Sequence, residues 1–333
     1  MYKRQTLGYD CFISCDNIIS VIIPNSVTSI EKGVFSNCTK MESVKLPDNL
    51  GDRINKCVFF NCTSLESIQI PNGVEVIDEE AFDSCSSLTN VIIPNTVENI
   101  RFKAFSSCDS LTEINLPDSV TSINWQAFGR CKNLRKVNLG KNLTTIGSSA
   151  FENCETLEDI QIPSSVTSIG QDAFNNTKWY NSKDGLIYIN DILYRYRDDN
   201  LSDTTIDIKE GTKSVSTCAF ASCNKIVNVT IPYGIERISE RMFLWCDNLK
   251  NVSIPDSVKK IDEYAFQGCK SMTEITLPNS VTRIEDGIFY NCSKLTSVTF
   301  KGTKEEWNSI SKYNWNAGSS VQKVICTDGE IEI

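Results

Sequence analysis

The sequence predicts a repeat solenoid, a fold in which similar coils of chain stack on one another. Three observations point to it. The nine prolines share one lattice of 23 residues, most of the phenylalanines occupy a second position of that period, and most of the cysteines occupy a third. A fixed period of this length indicates stacked structural units rather than a globular domain around a pocket.

The proline lattice sets the repeat boundaries. Neighbouring prolines are 23 residues apart or a multiple of 23, with one slip of a single residue between Pro47 and Pro71. Because proline has no N–H to donate, its place in a sheet protein is restricted by geometry. The lattice comprises Pro24, Pro47, Pro71, Pro94, Pro117, Pro163, Pro232, Pro255 and Pro278.

Each repeat reads P-x-S-V-x-x-I-x-x-x-A-F-x-x-C-x-x-L-x-x-V-x-I. The segment L-x-x-V-x-I ends in a period-two apolar alternation, which predicts a short strand. Stacked coils would align these strands into a parallel sheet, and V-x-x-I would give a second inward edge. The A-F-x-x-C segment predicts a tight turn or a short helical piece.

Twelve of the fifteen phenylalanines share the position after the repeat's alanine slot. Large aromatic side chains bury the most apolar area per residue, so this position predicts an aromatic spine in the core. Its members are Phe12, Phe35, Phe59, Phe82, Phe105, Phe128, Phe151, Phe174, Phe220, Phe243, Phe266 and Phe289.

The repeat resembles the leucine-rich repeat, specifically the BspA-like class found in bacterial and protozoan surface proteins, over about residues 11–300. The resemblance implies a curved right-handed coil with a parallel β-sheet on its concave face and short turns or helical pieces opposite. It also implies adhesion or protein binding at the cell surface or after secretion, not catalysis. The departures are local: Gly140 and Lys209 replace proline, Thr177 replaces cysteine, and Cys11 replaces alanine.

Eleven of the fifteen cysteines lie at one repeat position. Side chains in register on neighbouring coils would have Cβ atoms about 4.8 Å apart, whereas a disulfide prefers about 3.8 Å. We therefore predict a ladder of reduced thiols, each donating weakly to a turn carbonyl. The ladder comprises Cys15, Cys38, Cys62, Cys85, Cys108, Cys131, Cys154, Cys223, Cys246, Cys269 and Cys292.

The remaining cysteines give no metal pattern. The chain has no CxxC pair and no histidine, and a ladder spreads thiols along an axis instead of converging them on a point. Cys57 and Cys218 precede the Ala-Phe slot and are expected in turns. Cys326 is expected to be unpaired and exposed, and it is the one thiol whose reactivity we would follow.

One stretch, the island at residues 175–208, replaces the motif of a coil. Two β-rich runs flank Asn190-Asp191, which predicts a hairpin. Two interpretations remain open. The island projects Tyr188, Tyr194 and Tyr196 towards a ligand, or the hairpin substitutes for one coil so that the stack continues.

The two ends differ from the repeats. Residues 301–333 predict a C-terminal cap, with a T-x-x-E capping box at Thr303–Glu306 and a short strand near residues 321–325. Residues 1–10 are expected to be a truncated or non-native start. No apolar run follows the basic residues there, so no signal peptide is recognised in this chain.

Composition excludes several classes of function. A net charge of −9, from 42 acidic and 33 basic residues, argues against nucleic acid as the partner. No apolar run approaches the roughly 18 residues of a membrane span. Without histidine, Ser-His and Cys-His nucleophile arrangements are excluded, and no phosphate-loop or serine-elbow motif is present. We expect no enzyme, no cofactor and no bound metal.

The outward positions of the predicted concave strands are the candidate ligand face. They are polar, short and mixed in charge. The face is expected to bind a protein, an extracellular-matrix component or a glycan; the alternative is an intracellular protein-interaction scaffold on the same fold. The candidate residues are Glu66, Gln69, Asn90, Glu113, Asn115, Arg135, Lys136, Asn138, Glu158, Asp159 and Gln161.

Overall fold

The computed structural model describes residues 5–197 and 204–333. Residues 1–4 of the expected non-native start and residues 198–203 of the predicted island lie outside the described residues. The chain divides into two compact units, Met1–Ser182 and Lys183–Ile333, and this division falls within the predicted island. Each unit is a solenoid of parallel strands with little helix, as the repeat predicts.

Residues 5–182 of the first unit contain fifteen short strands and one helix. They are β1 (Thr6–Leu7), β2 (Ser20–Ile22), β3 (Ser29–Ile30), β4 (Ser43–Lys45), β5 (Arg53–Ile54), β6 (Ser67–Gln69), β7 (Val76–Ile77), β8 (Asn90–Ile92), β9 (Asn99–Ile100), β10 (Glu113–Asn115), β11 (Ser122–Ile123), β12 (Lys136–Asn138), β13 (Thr145–Ile146), β14 (Asp159–Ile160), β15 (Ser168–Ile169) and α1 (Lys178–Asn181).

Strand β1 pairs with β3, and the remaining strands form sheets on two sides of the coil. The L-x-x-V-x-I strands form the front sheet, in the orders β2-β4-β6-β8 and β10-β12-β14. The V-x-x-I strands form the side sheet, in which β5, β7, β9, β11, β13 and β15 run side by side. Pairing is parallel and joins equivalent repeat positions, as between Glu113 and Lys136. The front strands therefore carry the same repeat position on adjacent coils side by side.

The third side of the coil, A-F-x-x-C, is a turn and not a helix. In the coil at Lys103, that residue and Ser107 have φ values of 51° and 56°. Main-chain N–H groups of Lys103, Phe105 and Ser107 donate to carbonyls of the next coil at 3.1, 2.8 and 2.8 Å. The left-handed backbone conformation is unfavourable for residues other than glycine. In these turns the hydrogen bonds between coils stabilise it.

The second unit contains the remaining elements. They are β16 (Gly185–Ile189), β17 (Ile192–Arg197), β18 (Thr205–Asp207), β19 (Ser214–Val215), β20 (Asn228–Thr230), β21 (Arg237–Ile238), β22 (Asn251–Ser253), β23 (Lys260–Ile261), β24 (Thr276–Leu277), β25 (Arg283–Ile284), β26 (Ser297–Phe300), α2 (Lys304–Ser309), β27 (Ser311–Lys312), β28 (Lys323–Cys326) and β29 (Gly329–Glu332).

The second unit repeats the two-sheet arrangement. Its front sheet has the orders β18-β20-β22 and β24-β26-β28-β29, and its side sheet has the order β21-β23-β25-β27. A further sheet, β16-β17-β19, contains the hairpin. The last strands of both main sheets lie beyond residue 300, so the region expected as a cap supplies strands to both.

The helix in this last region buries apolar surface. The predicted capping box is confirmed: Thr303 accepts a hydrogen bond from the Glu306 N–H, and the Glu306 carboxylate accepts one from the Thr303 N–H. Trp307 on this helix is buried edge-on against Phe300 and Trp315. In the described part of the chain, neither helix has the length or apolar character to cross a bilayer.

Candidate binding surface

The front sheet of the first unit exposes the candidate ligand face. Ten of its eleven residues are exposed and Lys136 is half-buried. The cause is the pleat: the central residue of each strand, such as Ile114 or Val137, points inward and is buried, so its neighbours point outward. The exposed positions are Glu66, Gln69, Asn90, Glu113, Asn115, Arg135, Asn138, Glu158, Asp159 and Gln161.

Four side chains near the middle of this face are bonded to one another. The Asn138 amide donates to the Glu113 carboxylate at 3.0 Å and also to the Asn115 side chain. Lys136 Nζ lies 3.5 Å from Glu113 Oε1. Each bond links equivalent or neighbouring positions on adjacent strands, so the surface is ordered before any ligand arrives.

The charges at the end of the face differ in availability. Glu158 forms an ion pair with Lys178, whose ammonium hydrogen-bonds the carboxylate and lowers its pKa. Lys136 is engaged by Glu113. Of the described residues, none forms an ion pair with Arg135, so its guanidinium is the available cation on this face.

An amide ladder on the front sheet of the second unit was not selected from the sequence. The Asn251 amide donates to Asn228 at 2.8 Å, and the Asn228 amide donates to Thr205 at 3.1 Å. The signal available in the sequence was the recurrence of asparagine at an interval of 23 residues. Polar outward residues are frequent in this repeat, so that signal did not stand out.

The predicted hairpin is present, but two of its three candidate contacts are wrong. Strands β16 and β17 pair antiparallel around Asn190-Asp191. Tyr194 and Tyr196 are only 3% and 2% exposed, so they offer no surface to a ligand. Tyr188 is half-buried, and its hydroxyl accepts a hydrogen bond from the Lys209 N–H at 2.9 Å.

Tyr196 is buried because it takes a spine position. Its ring packs on Phe220 with centroids 5.6 Å apart, and its N–H donates to the Ala219 carbonyl at 2.7 Å. Cys223 directs its thiol at the Tyr196 carbonyl, as other ladder thiols do at phenylalanine carbonyls. Strand β17 also pairs parallel with β19. These contacts favour the interpretation that the hairpin substitutes for a coil.

The predicted contact of ladder thiols with turn carbonyls is confirmed. Six thiols of the first unit, Cys38, Cys62, Cys85, Cys108, Cys131 and Cys154, donate to the phenylalanine carbonyl of the preceding coil at 3.1–3.3 Å. In the second unit Cys246, Cys269 and Cys292 do so at 2.9–3.3 Å. Burial raises the pKa of the Cys62 and Cys85 thiols well above the ordinary value, so these two thiols are held protonated.

The exposure of the cysteines outside the ladder differs in part from the prediction. The exposure expected of Cys326 is wrong: this residue is 7% exposed, on β28, and burial raises the pKa of its thiol. Cys11 is the exposed thiol. Cys57 lies in a turn as predicted; burial and the Glu80 carboxylate raise the pKa of its thiol to about 11.

Two departures from the repeat have local reasons. Thr177, in a cysteine position, caps helix α1: its hydroxyl donates to the Phe174 carbonyl at 2.8 Å and accepts from the Tyr180 N–H at 3.1 Å. Gly140, in a proline position, lies against the preceding coil, where a Cβ would meet the Pro117 carbonyl oxygen at 2.2 Å. Within the described ranges, no three cysteine or acidic side chains converge in a metal-binding group.

The comparisons with known proteins agree with this architecture. The model of the BspA type leucine rich repeat region matches residues 5–91, 52–181 and 189–322. No curated protein matches the chain.

Solved structures with similarity to this chain include a leucine-rich repeat protein from Bacteroides ovatus (24% identity, covering 97% of this chain and 87% of that one, TM-score 0.47). A leucine rich cell surface protein from Faecalibacterium prausnitzii is 24% identical over 92% of this chain and 86% of that one (TM-score 0.37). The pneumococcal vaccine antigen PcpA is 20% identical over 97% and 81% (TM-score 0.48). The family model spans nearly all of the described residues, and the chain therefore belongs to the BspA-type leucine-rich repeat family.

Proposed function

We propose that this protein is a non-catalytic binding module that engages a protein, extracellular-matrix or glycan ligand through the front sheet of its first unit. We further propose that it acts at the cell surface or after secretion. The observation that carries the proposal is the candidate ligand face, an exposed polar surface on which β6 pairs in register with β8, and β12 pairs in register with β10 and β14. Strands β8 and β10 belong to separate sheets.

The extent of this face suits a macromolecular ligand. The candidate residues lie on the five strands β6, β8, β10, β12 and β14 or directly beside them, and strands are spaced about 4.8 Å apart, which gives a width of roughly 20 Å. Two bases, Arg135 and Lys136, stand among the acids Glu66, Glu113, Glu158 and Asp159. A mixed-charge face of this kind governs specificity and association rate more than affinity.

The buried thiols are compatible with an oxidising exterior. A thiol is oxidised or exchanged through its thiolate and only when it is accessible. The ladder thiols from Cys38 to Cys154 are buried and hydrogen-bonded, so export would not scramble them. The chain belongs to the BspA-type family, a class found in bacterial and protozoan surface proteins, and this membership supports a location at the cell surface or outside the cell.

The pKa shifts of the carboxyl groups support a non-catalytic role. Burial raises the pKa of Asp83, but this carboxylate lies in a turn and accepts a hydrogen bond from Ser84 at 3.1 Å. On the candidate ligand face, Glu158 has a lowered pKa because of Lys178. These are the effects of packing and ion pairing on single carboxylates, and a general acid would need a partner poised against it.

The test is binding by the purified chain to immobilised extracellular-matrix proteins and bacterial or host glycans, measured by surface plasmon resonance. Arg135→Glu should weaken the interaction about tenfold, because it replaces an attraction by repulsion on the contact face. Lys141→Glu is the matched control: it makes the same charge change at an exposed turn residue, paired with Asp118, outside this face. Equal affinity of Arg135→Glu and wild type would count against this face as the contact surface.

A further inference from the structure

The front sheet of the second unit is open between β22 and β24, as that of the first unit is between β8 and β10. These are consecutive front strands, yet they belong to separate sheets. The pairs on either side are closed: Asn228 is in register with Asn251, and Thr276 with Thr299. The interval from Pro255 to Pro278 is an ordinary 23 residues, so no insertion accounts for the opening.

Main-chain groups face one another across this opening without bonding. In the closed pair before it, the Ile231 N–H donates to Ser253 at 3.1 Å and the Lys250 N–H donates to Val227 at 2.9 Å. One coil later the equivalent donors are Ile254 and Thr273. In the part of the chain that the structure describes, no main-chain hydrogen bond joins residues 250–254 to residues 273–277.

The opening is a cleft of about 300 Å³. The polar residues that line it are Asn251, Ser253, Glu274, Thr276 and Lys301. Its floor includes Val252, which is half-buried. The cleft therefore combines hydrogen-bonding walls with an apolar floor.

The size of the cleft limits what can enter. The side sheet on the neighbouring edge of the same coils is closed, with Arg237, Lys260 and Arg283 in register on successive strands. That edge holds the coils at one strand spacing, so a peptide strand, which needs about 4.8 Å on each side, does not fit between β22 and β24, and any ligand must lie across the outer mouth of the cleft. A volume of about 300 Å³ is at the lower end of small-molecule sites.

The chemistry of the lining selects a neutral ligand rich in hydroxyl groups. Asn251, Ser253 and Thr276 both donate and accept, as do the main-chain groups. The one cation in the lining, Lys301, is paired with Asp256 at 3.0 Å, and the Glu274 carboxylate would repel an anionic ligand. A sugar ring presents hydroxyl groups at its edge and C–H groups on its faces, which match these walls and this floor.

We propose that this cleft binds a single neutral sugar residue of a glycan. The proposal deepens the proposed function by adding a carbohydrate subsite on the second unit, and it rests on that function only in treating the front sheets as ligand-bearing. It does not use the candidate ligand face of the first unit.

The test is a titration of the full chain with glucose, galactose, mannose and N-acetylglucosamine, followed by the amide resonances in ¹H–¹⁵N spectra. At least one sugar should shift the amides of residues 251–254 and 273–277 saturably. Ser253→Phe fills the cleft and should abolish these shifts. Thr230→Phe, at the same register on the closed strand β20, is the matched control and should keep them.

A second variant covers the case in which Ser253→Phe does not fold. Asn251→Ala removes one side chain that donates and accepts, and should weaken binding about tenfold. Overturning results are the absence of saturable shifts with every sugar, shifts that survive both cleft variants, or equal shifts with inorganic phosphate. A failure here with intact, Arg135-dependent binding to matrix proteins would reject the cleft and leave the proposed function standing.

Discussion

The regular coils of the first unit and the hairpin at the start of the second each build a core of the same kind, from different sequences. Eight phenylalanines of the first unit stack at 5.1–5.7 Å with rings within 12° of parallel. In the hairpin, Tyr196 provides the ring, tilted by 34° on Phe220 at 5.6 Å. A coil therefore needs an aromatic ring and a carbonyl at this point, and the remaining motif can be replaced.

The thiol ladder shows the consequence of the replacement. Cys131 donates to the Phe105 carbonyl at 3.1 Å, whereas Cys223 lies 3.7 Å from the carbonyl of Tyr196. The hairpin therefore keeps the contact but lengthens it, because the tilted ring and the antiparallel strand place the carbonyl differently. A coil built from a hairpin is tolerated at some loss of regularity.

The largest expected effect is at the aromatic spine. Phe128→Ala removes a fully buried ring that stacks on Phe105 and Phe151, and should lower the free energy of unfolding by about 3–5 kcal/mol. Tyr196→Ala should have a cost in the same range if the hairpin supplies a spine ring. Urea denaturation followed by circular dichroism measures both.

Tyr196→Phe is the control for this comparison, since it keeps the ring and should change stability by at most about 1 kcal/mol. A cost for Tyr196→Ala below about 1 kcal/mol would show that the hairpin does not share the spine.

The next effect concerns the thiols. Cys131→Ala removes a fully buried sulfur with a 3.1 Å contact and should cost about 1–2 kcal/mol, from lost burial and the small cavity left behind. Cys223→Ala should cost less, because its contact is 0.6 Å longer by the difference of 3.7 and 3.1 Å. The same denaturation experiment compares the two, and a larger cost at Cys223 would contradict the account of the hairpin.

The smallest effects are those of pH, and they have opposite signs in the two units. In the second unit, Lys260 and Arg283 lower the pKa of Glu285. The contribution of Glu285 to the free energy of unfolding is therefore present above its unfolded-state pKa, and it is lost as the pH falls through the lowered folded-state pKa. Glu285→Gln should destabilise the protein by at most about 1 kcal/mol at pH 7 and have no effect in acid.

In the first unit, burial raises the pKa of Asp83, so its ionised form opposes folding at neutral pH. Asp83→Asn should stabilise the protein at pH 7, and this gain should vanish below the unfolded-state pKa, where both forms are protonated. Thermal melts of each variant against wild type between pH 3 and 7 test the signs. A loss of stability in Asp83→Asn at neutral pH would contradict the burial argument.

The spine and the ladder could be predicted from the sequence because a residue that recurs every 23 positions must have the same surroundings in each coil. Phe105 and Cys108 are examples, and both are fully buried. The outward placement of Glu113 and Asn115 followed from strand alternation, whereas their binding role remains a prediction.

The errors fall where the period stops. Tyr194 and Tyr196 were ligand contacts in one of the two interpretations of the island. A hairpin's buried face cannot be chosen from alternation alone when both faces carry apolar residues. Cys326 was expected to be exposed because it lies outside the ladder, but the last strand pairs bury it. The opening between β22 and β24 interrupts a regular interval, so spacing gave no sign of it.

The hairpin buries its neighbouring thiols as the regular coils do, and thiol labelling of the native protein tests this directly. An alkylating reagent with mass-spectrometric readout should modify Cys11 fast, Cys15 and Cys57 slowly, and the twelve buried cysteines only after unfolding. Cys218 and Cys223, which follow the hairpin, should be protected as well as Cys131. If Cys218 or Cys223 reacts at the rate of Cys11 in the folded protein, the hairpin does not close the core, and the account is wrong.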